Sequence, residues 1–348
     1  MANGAEVRLV VVGAGHMGLN HIKKIQSMRS RMNARVTAII EPDDLRGQSI
    51  VRDFPADSKP QLLSNIGQIQ SLSKESMPDA AVIAVPANIH VETTAACLAK
   101  GMHCLVEKPL GFSALDVRDL ASQARNSKKI LQVGHLERWS LAHLWGNWKP
   151  KMGPWTINTV RSGPFVPRVA DTDVIQDLMI HDLDLWVLLD SIFKFSKIEK
   201  VRAWGRKLRS GHLDYAIVAL DMEDGGMARF FASRLSADSS RNWELTGPGW
   251  HASLDFMRRT LKRFERVGRD MNAFEARESH WPSGDPLGLE IEAFVHRVRG
   301  TWESSHAAQD LMTNSICGPD KIIPSAENVL RTHEIIDEIL SCIKVLDA

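Results

Sequence analysis

The run Val7 to Val12, aliphatic apart from Arg8, leads directly into Gly13-Ala14-Gly15-His16-Met17-Gly18. No other stretch narrows the possible folds as far. A continuous apolar run is what a central parallel strand covered on both faces requires. After the glycines, Leu19, Ile22, Ile25 and Met28 recur at helical spacing. A GxGxxG that closes a strand and opens a helix is a dinucleotide-binding arrangement. Gly13 permits the tight turn, Gly15 lets a pyrophosphate approach the backbone, and Gly18 lets helix and strand pack closely, with His16 and Met17 between them in the loop. A second strand, Val36 to Ile40, ends in Glu41, where a carboxylate can hold a ribose hydroxyl. That charge repels a 2′-phosphate, so NAD is expected over NADP; Arg46 nearby pulls the other way.

Three later strands deliver polar residues to one rim. Ala80 to Val85 is followed by Pro86-Ala87-Asn88-Ile89-His90, Met102 to Val106 by Glu107-Lys108-Pro109-Leu110, and Ile130 to Val133 by Gly134-His135-Leu136-Glu137-Arg138. The carboxyl ends of parallel strands are where open α/β sheets bind ligands, so Lys108 is placed to touch cofactor and substrate together. Pro109 fixes its own φ and ends the strand behind the lysine. His90 stands where it could stack on or hydrogen-bond the cofactor. Ser113 is a good N-cap for the helix that follows.

At 348 residues the chain exceeds the size of one hydrophobic core. We divide it into a nucleotide-binding domain, 1–135, an α+β domain, 136–323, and a terminal helix, 324–348, that packs back on the body. In the second part, Thr156 to Ser162 reads as a strand and Val174 to Asp190 as a helix carrying Asp177, His181 and Asp184 at spacings that share a face. Lys197 to Leu208, Asp214 to Met222, Met227 to Leu235 and Trp243 to Asp255 read as successive antiparallel strands. Arg258 to Arg269 reads as a solvated basic segment, Pro286 to Arg299 as an amphipathic helix, and Thr301 to Ile323 as a loop.

A net charge of +1 argues against nucleic acid as a partner. No apolar run is long enough to span a bilayer, and strand-like residues by Val7 leave no room for a signal peptide. The four cysteines form no CxxC pair, which suggests neither a disulfide framework nor a metal site and fits a reducing cytoplasm. Ten tryptophans against one tyrosine carry no functional reading.

The order Gly13-Ala14-Gly15-His16-Met17-Gly18, Val85-Pro86 to His90, Glu107-Lys108-Pro109-Leu110 and Asp177-x-x-x-His181 resembles the two-domain NAD(P)-dependent oxidoreductases named for glucose-fructose oxidoreductase, inositol dehydrogenase and MocA. The resemblance implies a Rossmann doubly wound parallel sheet followed by an α+β domain with an open, mainly antiparallel sheet that mediates a homodimer or homotetramer. It implies Lys108, Asp177 and His181 as the catalytic set, moving a hydride between nicotinamide and a secondary alcohol of a sugar. His181 would take the hydroxyl proton, Asp177 orient the imidazole, and Lys108 stabilise the developing negative charge. Lys108 as proton acceptor with His181 assisting is equally compatible.

Residues 134–138, Arg161-Ser162-Gly163-Pro164-Phe165 and the Asp177 helix look most like members oxidising the 3-hydroxyl of UDP-N-acetylhexosamines or their uronates. Glu137, Arg138, Arg161 and Arg168 would then join Lys108, Asp177 and His181 at the substrate, the arginines on a carboxylate or diphosphate. Trp139-Ser140-Leu141 departs from that subgroup. A free sugar or a cyclitol is the alternative substrate, and a non-catalytic dinucleotide sensor the alternative function.

Overall fold

The computed structural model describes residues 4–346 except 147, 151–152, 167–171, 269–272, 282–283, 304, 306–307, 310 and 313–314. They form two compact units. The first comprises Met1–Leu136, Asp285–Asp310 and Ile323–Leu330; the second comprises Glu137–Gly284, Leu311–Ile322 and Arg331–Ala348.

The first unit contains six parallel strands: β1 (Val7–Val12), β2 (Ala34–Ile40), β3 (Gln61–Leu63), β4 (Ala80–Ile83), β5 (His103–Glu107) and β6 (Leu131–Gly134). Their order is β3-β2-β1-β4-β5-β6, so the chain reverses its direction of growth between β1 and β4. The helices are α1 (His16–Ser27), α2 (Arg29–Met32), α3 (Asp44–Arg52), α4 (His90–Ala99) and α5 (Ala114–Asn126). Side chains alternate across β1 as a pleated strand demands. Val7, Leu9 and Val11 meet Ile22 and Ile25 of α1. Val10 and Val12 share the opposite core with Cys97 and Leu98 of α4 and Val117 and Leu120 of α5, and with Ala326 and Val329. Each such aliphatic side chain contributes about 1.5–3 kcal/mol when fully buried. The expected cap is present: Ser113 accepts from Asp116 N–H at 3.2 Å, and Asp116 accepts from Ser113 N–H at 3.0 Å.

The helix Pro286–Arg299 lies in this first unit, whereas the sequence boundaries assign it to the second domain. The reason is its apolar stripe: Ile291, Phe294 and Val295 complete the core over β1. Asp285 caps it at Gly288 N–H, Lys24 pairs with Asp285 at 2.9 Å, and Arg31 grips Glu292 with two nitrogens.

His103 on β5 accepts a 3.0 Å hydrogen bond from Ile130 N–H. Burial, helped by the charge of Lys129, drives its pKa down to about 4. The unfolded imidazole titrates near about 6.5, so stability held by the neutral ring is complete above that value and is lost as pH falls toward 4. A His103→Gln variant is expected to lose less of its melting temperature across that window. Parallel melting curves for the two proteins would refute this.

The second unit is built on nine strands: β7 (Thr156–Ser162), β8 (Ile198–Arg206), β9 (Tyr215–Met222), β10 (Met227–Ser233), β11 (Ser240–Gly247), β12 (Trp250–Asp255), β13 (Thr260–Arg266), β14 (Phe274–His280) and β15 (Lys344–Val345). The order is β14-β13-β12-β11-β7-β10-β9-β8-β15. All neighbours are antiparallel except β7 with β10 and β8 with β15. One face is covered by α6 (Glu137–Trp145) and α7 (Ile180–Phe193), with Leu183, Trp186, Val218, Phe230, Trp243 and Leu245 in a single core that Ile335, Ile336 and Ile339 also enter.

Three sequence readings change here. Trp243 to Asp255 is two strands, turned at Gly249 with φ +77°. The segment at 258–269, read as a solvated basic stretch, contains the strand β13, whose Leu261 is fully buried while Lys262 and Arg266 reach solvent. The 301–323 stretch includes a short helix, Pro319–Ile322. Among the described residues no helix is long and apolar enough to cross a membrane, and no cluster of His, Cys, Asp and Glu is arranged to hold a metal ion.

Candidate active site

The expected nucleotide-binding residues gather along the carboxyl edge of the first sheet. Gly13 has φ +85°, and a Cβ there would stand 2.7 Å from the Ala84 carbonyl oxygen. A Cβ on Gly18 would lie 1.9 Å from the Gly13 carbonyl oxygen, so the loop and α1 meet through bare backbone. Gly15 faces open space. The first turn of α1 carries no acidic residue, and no side chain caps its N–H groups, which is the condition a pyrophosphate needs. His16 is exposed and Met17 half-buried in that turn, while Pro86 and Asn88 are exposed beyond β4.

Glu41 is almost fully buried. It accepts from Ala14 N–H at 3.0 Å and from Asp43 N–H at 3.0 Å, so the acid beyond β2 braces the glycine loop. Arg46 lies 3.5 Å from Glu41 and 3.3 Å from Asp43. The cation that weakens the preference for NAD is thus paired with two carboxylates, and a 2′-phosphate would confront both. The loop, the uncapped helix and this carboxylate fit NAD.

The corner after β5 is held from within. Glu107 Oε1 lies 2.7 Å from Nε2 of His21, a buried residue of α1. Burial pushes the Glu107 carboxyl up, but the His21 hydrogen bond and the nearby charges of His21 and Lys108 hold it below the ordinary carboxylate range. His90 is 1% exposed, with Nδ1 2.6 Å from the Pro109 carbonyl oxygen and Nε2 2.9 Å from that of Val85. Burial lowers its pKa. His90 therefore ties the loop after β4 to the Lys108-Pro109 corner, where the sequence suggests a direct contact with cofactor. The Lys108–Pro109 peptide is cis, and Lys108 is partly exposed. Sequence reasoning missed His21. Its signal is position: it falls among Gly18, Ile22 and Ile25 on the buried stripe of α1, and a polar residue there needs a partner.

In the second unit, Asp177 lies in a π-helical turn, Ile175–Met179, that runs into α7. Such turns recur at functional sites. From Val174 to Leu189 every residue is buried except Asp177, Leu178 and His181. Asp184, expected on the same stripe, is turned inward: its carboxylate receives Arg138 Nε at 2.7 Å and Nη2 at 2.6 Å.

Three expected substrate contacts are likewise engaged inside the unit. Arg138 is 2% exposed and also donates to the Lys321 carbonyl at 3.1 Å. Arg161, also 2% exposed, donates to Glu137 at 2.7 and 2.6 Å and to Asp182 at 2.9 Å through both Nε and Nη2. Although burial opposes its charge, these two carboxylates raise its pKa. Trp243 Nε1 donates to Asp182 at 2.8 Å. Glu137, Arg138 and Arg161 thus join α6, α7 and β7, because charges removed from water need matched partners. Arg168 lies outside the described residues.

Comparison with known proteins agrees with this geometry. Residues 7–135 match the model of the oxidoreductase family GFO_IDH_MocA, NAD-binding Rossmann fold. The UDP-N-acetylglucosamine 3-dehydrogenase of Acidithiobacillus ferrooxidans is 26% identical over 295 residues, 84% of this chain and 88% of the relative. An inositol 2-dehydrogenase of Corynebacterium glutamicum is 33% identical over 133 residues, 38% of this chain and 37% of the relative. Among solved structures, the dehydrogenase GnnA from Acidithiobacillus ferrooxidans aligns with TM-score 0.78 at 22% identity over 97% of both chains. The WlbA dehydrogenase from Bordetella pertussis, in complex with NADH and UDP-GlcNAcA, aligns with TM-score 0.67 at 16% identity over 97% of this chain and 96% of its own. With the strand order, the glycine loop and the Glu107-Lys108-Pro109 corner all in place, residues 7–135 form an NAD-binding Rossmann unit that matches the Gfo/Idh/MocA oxidoreductase model.

Proposed function

We propose that this protein is an NAD-dependent dehydrogenase that oxidises the 3-hydroxyl of a UDP-N-acetylhexosamine or its uronate. One observation carries the reading: a helix that buries nearly everything from Val174 to Leu189 keeps a carboxylate and an imidazole, Asp177 and His181, partly exposed, with Leu178 beside them. A helix of purely structural purpose has no reason to keep that pair at its surface. NAD, when bound, accepts the hydride. His181 takes the hydroxyl proton, Asp177 orients the imidazole, and Lys108 holds the reacting oxygen as negative charge develops on it. The sugar-nucleotide assignment is supported by a named relative spanning 84% of the chain. The cyclitol reading draws on inositol dehydrogenases, one of them matched at 25% identity over 65% of the chain.

In this reading the protein works in the cytoplasm with its cysteines as free thiols. It forms a homodimer or homotetramer through the uncovered face of the nine-stranded sheet, where Val160 is 40% exposed and Phe231 and Ile217 are partly so.

Purified protein and NAD are to be mixed with UDP-N-acetylhexosamines, their uronates, free sugars and cyclitols while NADH absorbance is followed. A rise with the sugar nucleotides is expected. A rise with inositol alone would replace the substrate. No rise in a protein shown to bind NAD, even after a 2-oxo acid acceptor is added and keto-sugar assayed, would make it a sensor.

A further inference from the structure

A UDP-sugar carries two phosphate charges, yet Arg138 and Arg161 have their guanidinium groups turned onto buried carboxylates. Among the described residues, neither of these two arginines is turned toward a diphosphate, and other cations are available. We infer, resting on the sugar-nucleotide reading above, that the loop Lys207–His212 between β8 and β9 is the diphosphate subsite, with Lys207 and Arg209 as its cations.

The loop has a fixed shape. The fully buried Asp214 accepts N–H groups from Leu208 at 2.8 Å, Arg209 at 2.6 Å and Ser210 at 3.0 Å on one carboxylate oxygen. Its other oxygen takes the Ser210 hydroxyl at 2.8 Å and Arg234 Nε at 2.8 Å. One carboxylate thus organises the backbone from beneath while the side chains of Lys207, Arg209 and His212 stay exposed.

The loop is also stitched to the segment that leads into the Asp177 turn. Leu213 N–H donates to Asp173 Oδ1 at 2.7 Å, Val174 N–H donates to the Leu213 carbonyl at 2.9 Å, and Arg234 Nη1 donates to the Thr172 carbonyl at 2.9 Å. The Asp173 carbonyl in turn accepts Asp177 N–H at 2.9 Å. At the rise of a helix, Asp173 and His181 are separated by on the order of 10 Å, the scale of a hexose ring with its diphosphate.

The charge is of the right sign and partly preorganised. Arg209 lies over the Phe165 ring, 5.4 Å from its centroid, with Arg234 at 5.6 Å. The ring thereby restricts the guanidinium to one region, which lowers the ordering cost of binding. The two carboxylates in contact with the loop are both engaged: Asp214 with Arg234, and Asp173 with Leu213 N–H and, at 3.9 Å, with His212. Lys207 and Arg209 present an ammonium and a planar fork to solvent, the two groups that recognise phosphates.

The test uses the intact protein with NAD and UDP-N-acetylglucosamine, beside calorimetric titration with UDP alone. The double variant Lys207→Gln/Arg209→Gln should raise KM for the sugar nucleotide roughly 10- to 100-fold and weaken UDP as much, with kcat nearly unchanged. NAD affinity and melting temperature should match wild type; the two single variants serve if the double variant does not fold. Loss of UDP binding in the variant supports the subsite even where turnover is absent. Wild-type KM and UDP affinity in the variant would overturn the subsite and leave the sugar-nucleotide reading standing. Failure of the wild type both to bind UDP and to turn over any UDP-sugar would overturn both.

Discussion

His181→Ala is expected to lower kcat by roughly 10²- to 10⁴-fold, a barrier higher by about 3 to 5 kcal/mol, while NAD affinity stays as it is. The imidazole stands on a helix whose next eight residues, Asp182 to Leu189, are all buried, so its placement is fixed by the core beneath it. Removing a partly exposed side chain from so well anchored a helix leaves the fold in place. The loss then measures proton transfer alone. Stopped-flow single turnover with the sugar nucleotide, alongside fluorescence titration of NAD, separates the two quantities. Unimpaired turnover would eliminate His181 as the base, and a loss of turnover in Lys108→Ala, with the pH–rate profile of His181→Ala following a lysine titration, would assign that role to Lys108.

Arg161→Ala is expected to act on stability instead. Arg161 joins Glu137 of α6 and Asp182 of α7 to β7 through four nitrogen–oxygen contacts, all within 2.9 Å, and Trp243 of β11 adds a 2.8 Å hydrogen bond to Asp182. Taking out the shared cation leaves two buried carboxylates facing each other, a defect that costs about 3–5 kcal/mol. Burial already pushes the Asp182 carboxyl up despite Arg161. A carboxyl whose folded pKa is raised contributes stability below its unfolded pKa and loses it as pH rises, so the deficit should shrink on acidification. Urea unfolding at neutral and acidic pH checks both the size and the sign. A variant of wild-type stability with a raised KM would instead return Arg161 to the substrate.

Much of the first unit could be read in advance because its information is local. An apolar strand, a glycine loop and a helical repeat within residues 7–28 suffice to place β1, the loop and α1, and strands buried on both faces announce themselves as apolar runs. Strands without a buried face do not. Phe274–His280 is an edge strand of mostly exposed residues, and Gln61–Leu63 is an edge strand too short to show a period. Partnerships at long range were also hidden. Arg138 and Asp184 are 46 residues apart and Arg161 and Asp182 are 21 apart, so the arginines looked available and Asp184 looked like part of the Asp177 stripe. The spacing was right, but spacing does not say which side of a helix meets an arginine. The tryptophan excess has a packing answer: Trp145, Trp148, Trp186, Trp243 and Trp250 line the second core, with Trp145 and Trp148 stacked at 5.1 Å.

The π-helical turn at Ile175–Met179 opens the helix with a wider turn than the regular α7 that follows it. Shortening that turn by a residue would restore an uninterrupted α-helix and keep α7 seated in its core. It would also swing Asp177 by about 100° around the axis relative to His181. If Asp177 and His181 act together as proposed, the length of this turn is a constraint on catalysis that folding alone does not impose, and a deletion there should remove the chemistry without removing the architecture.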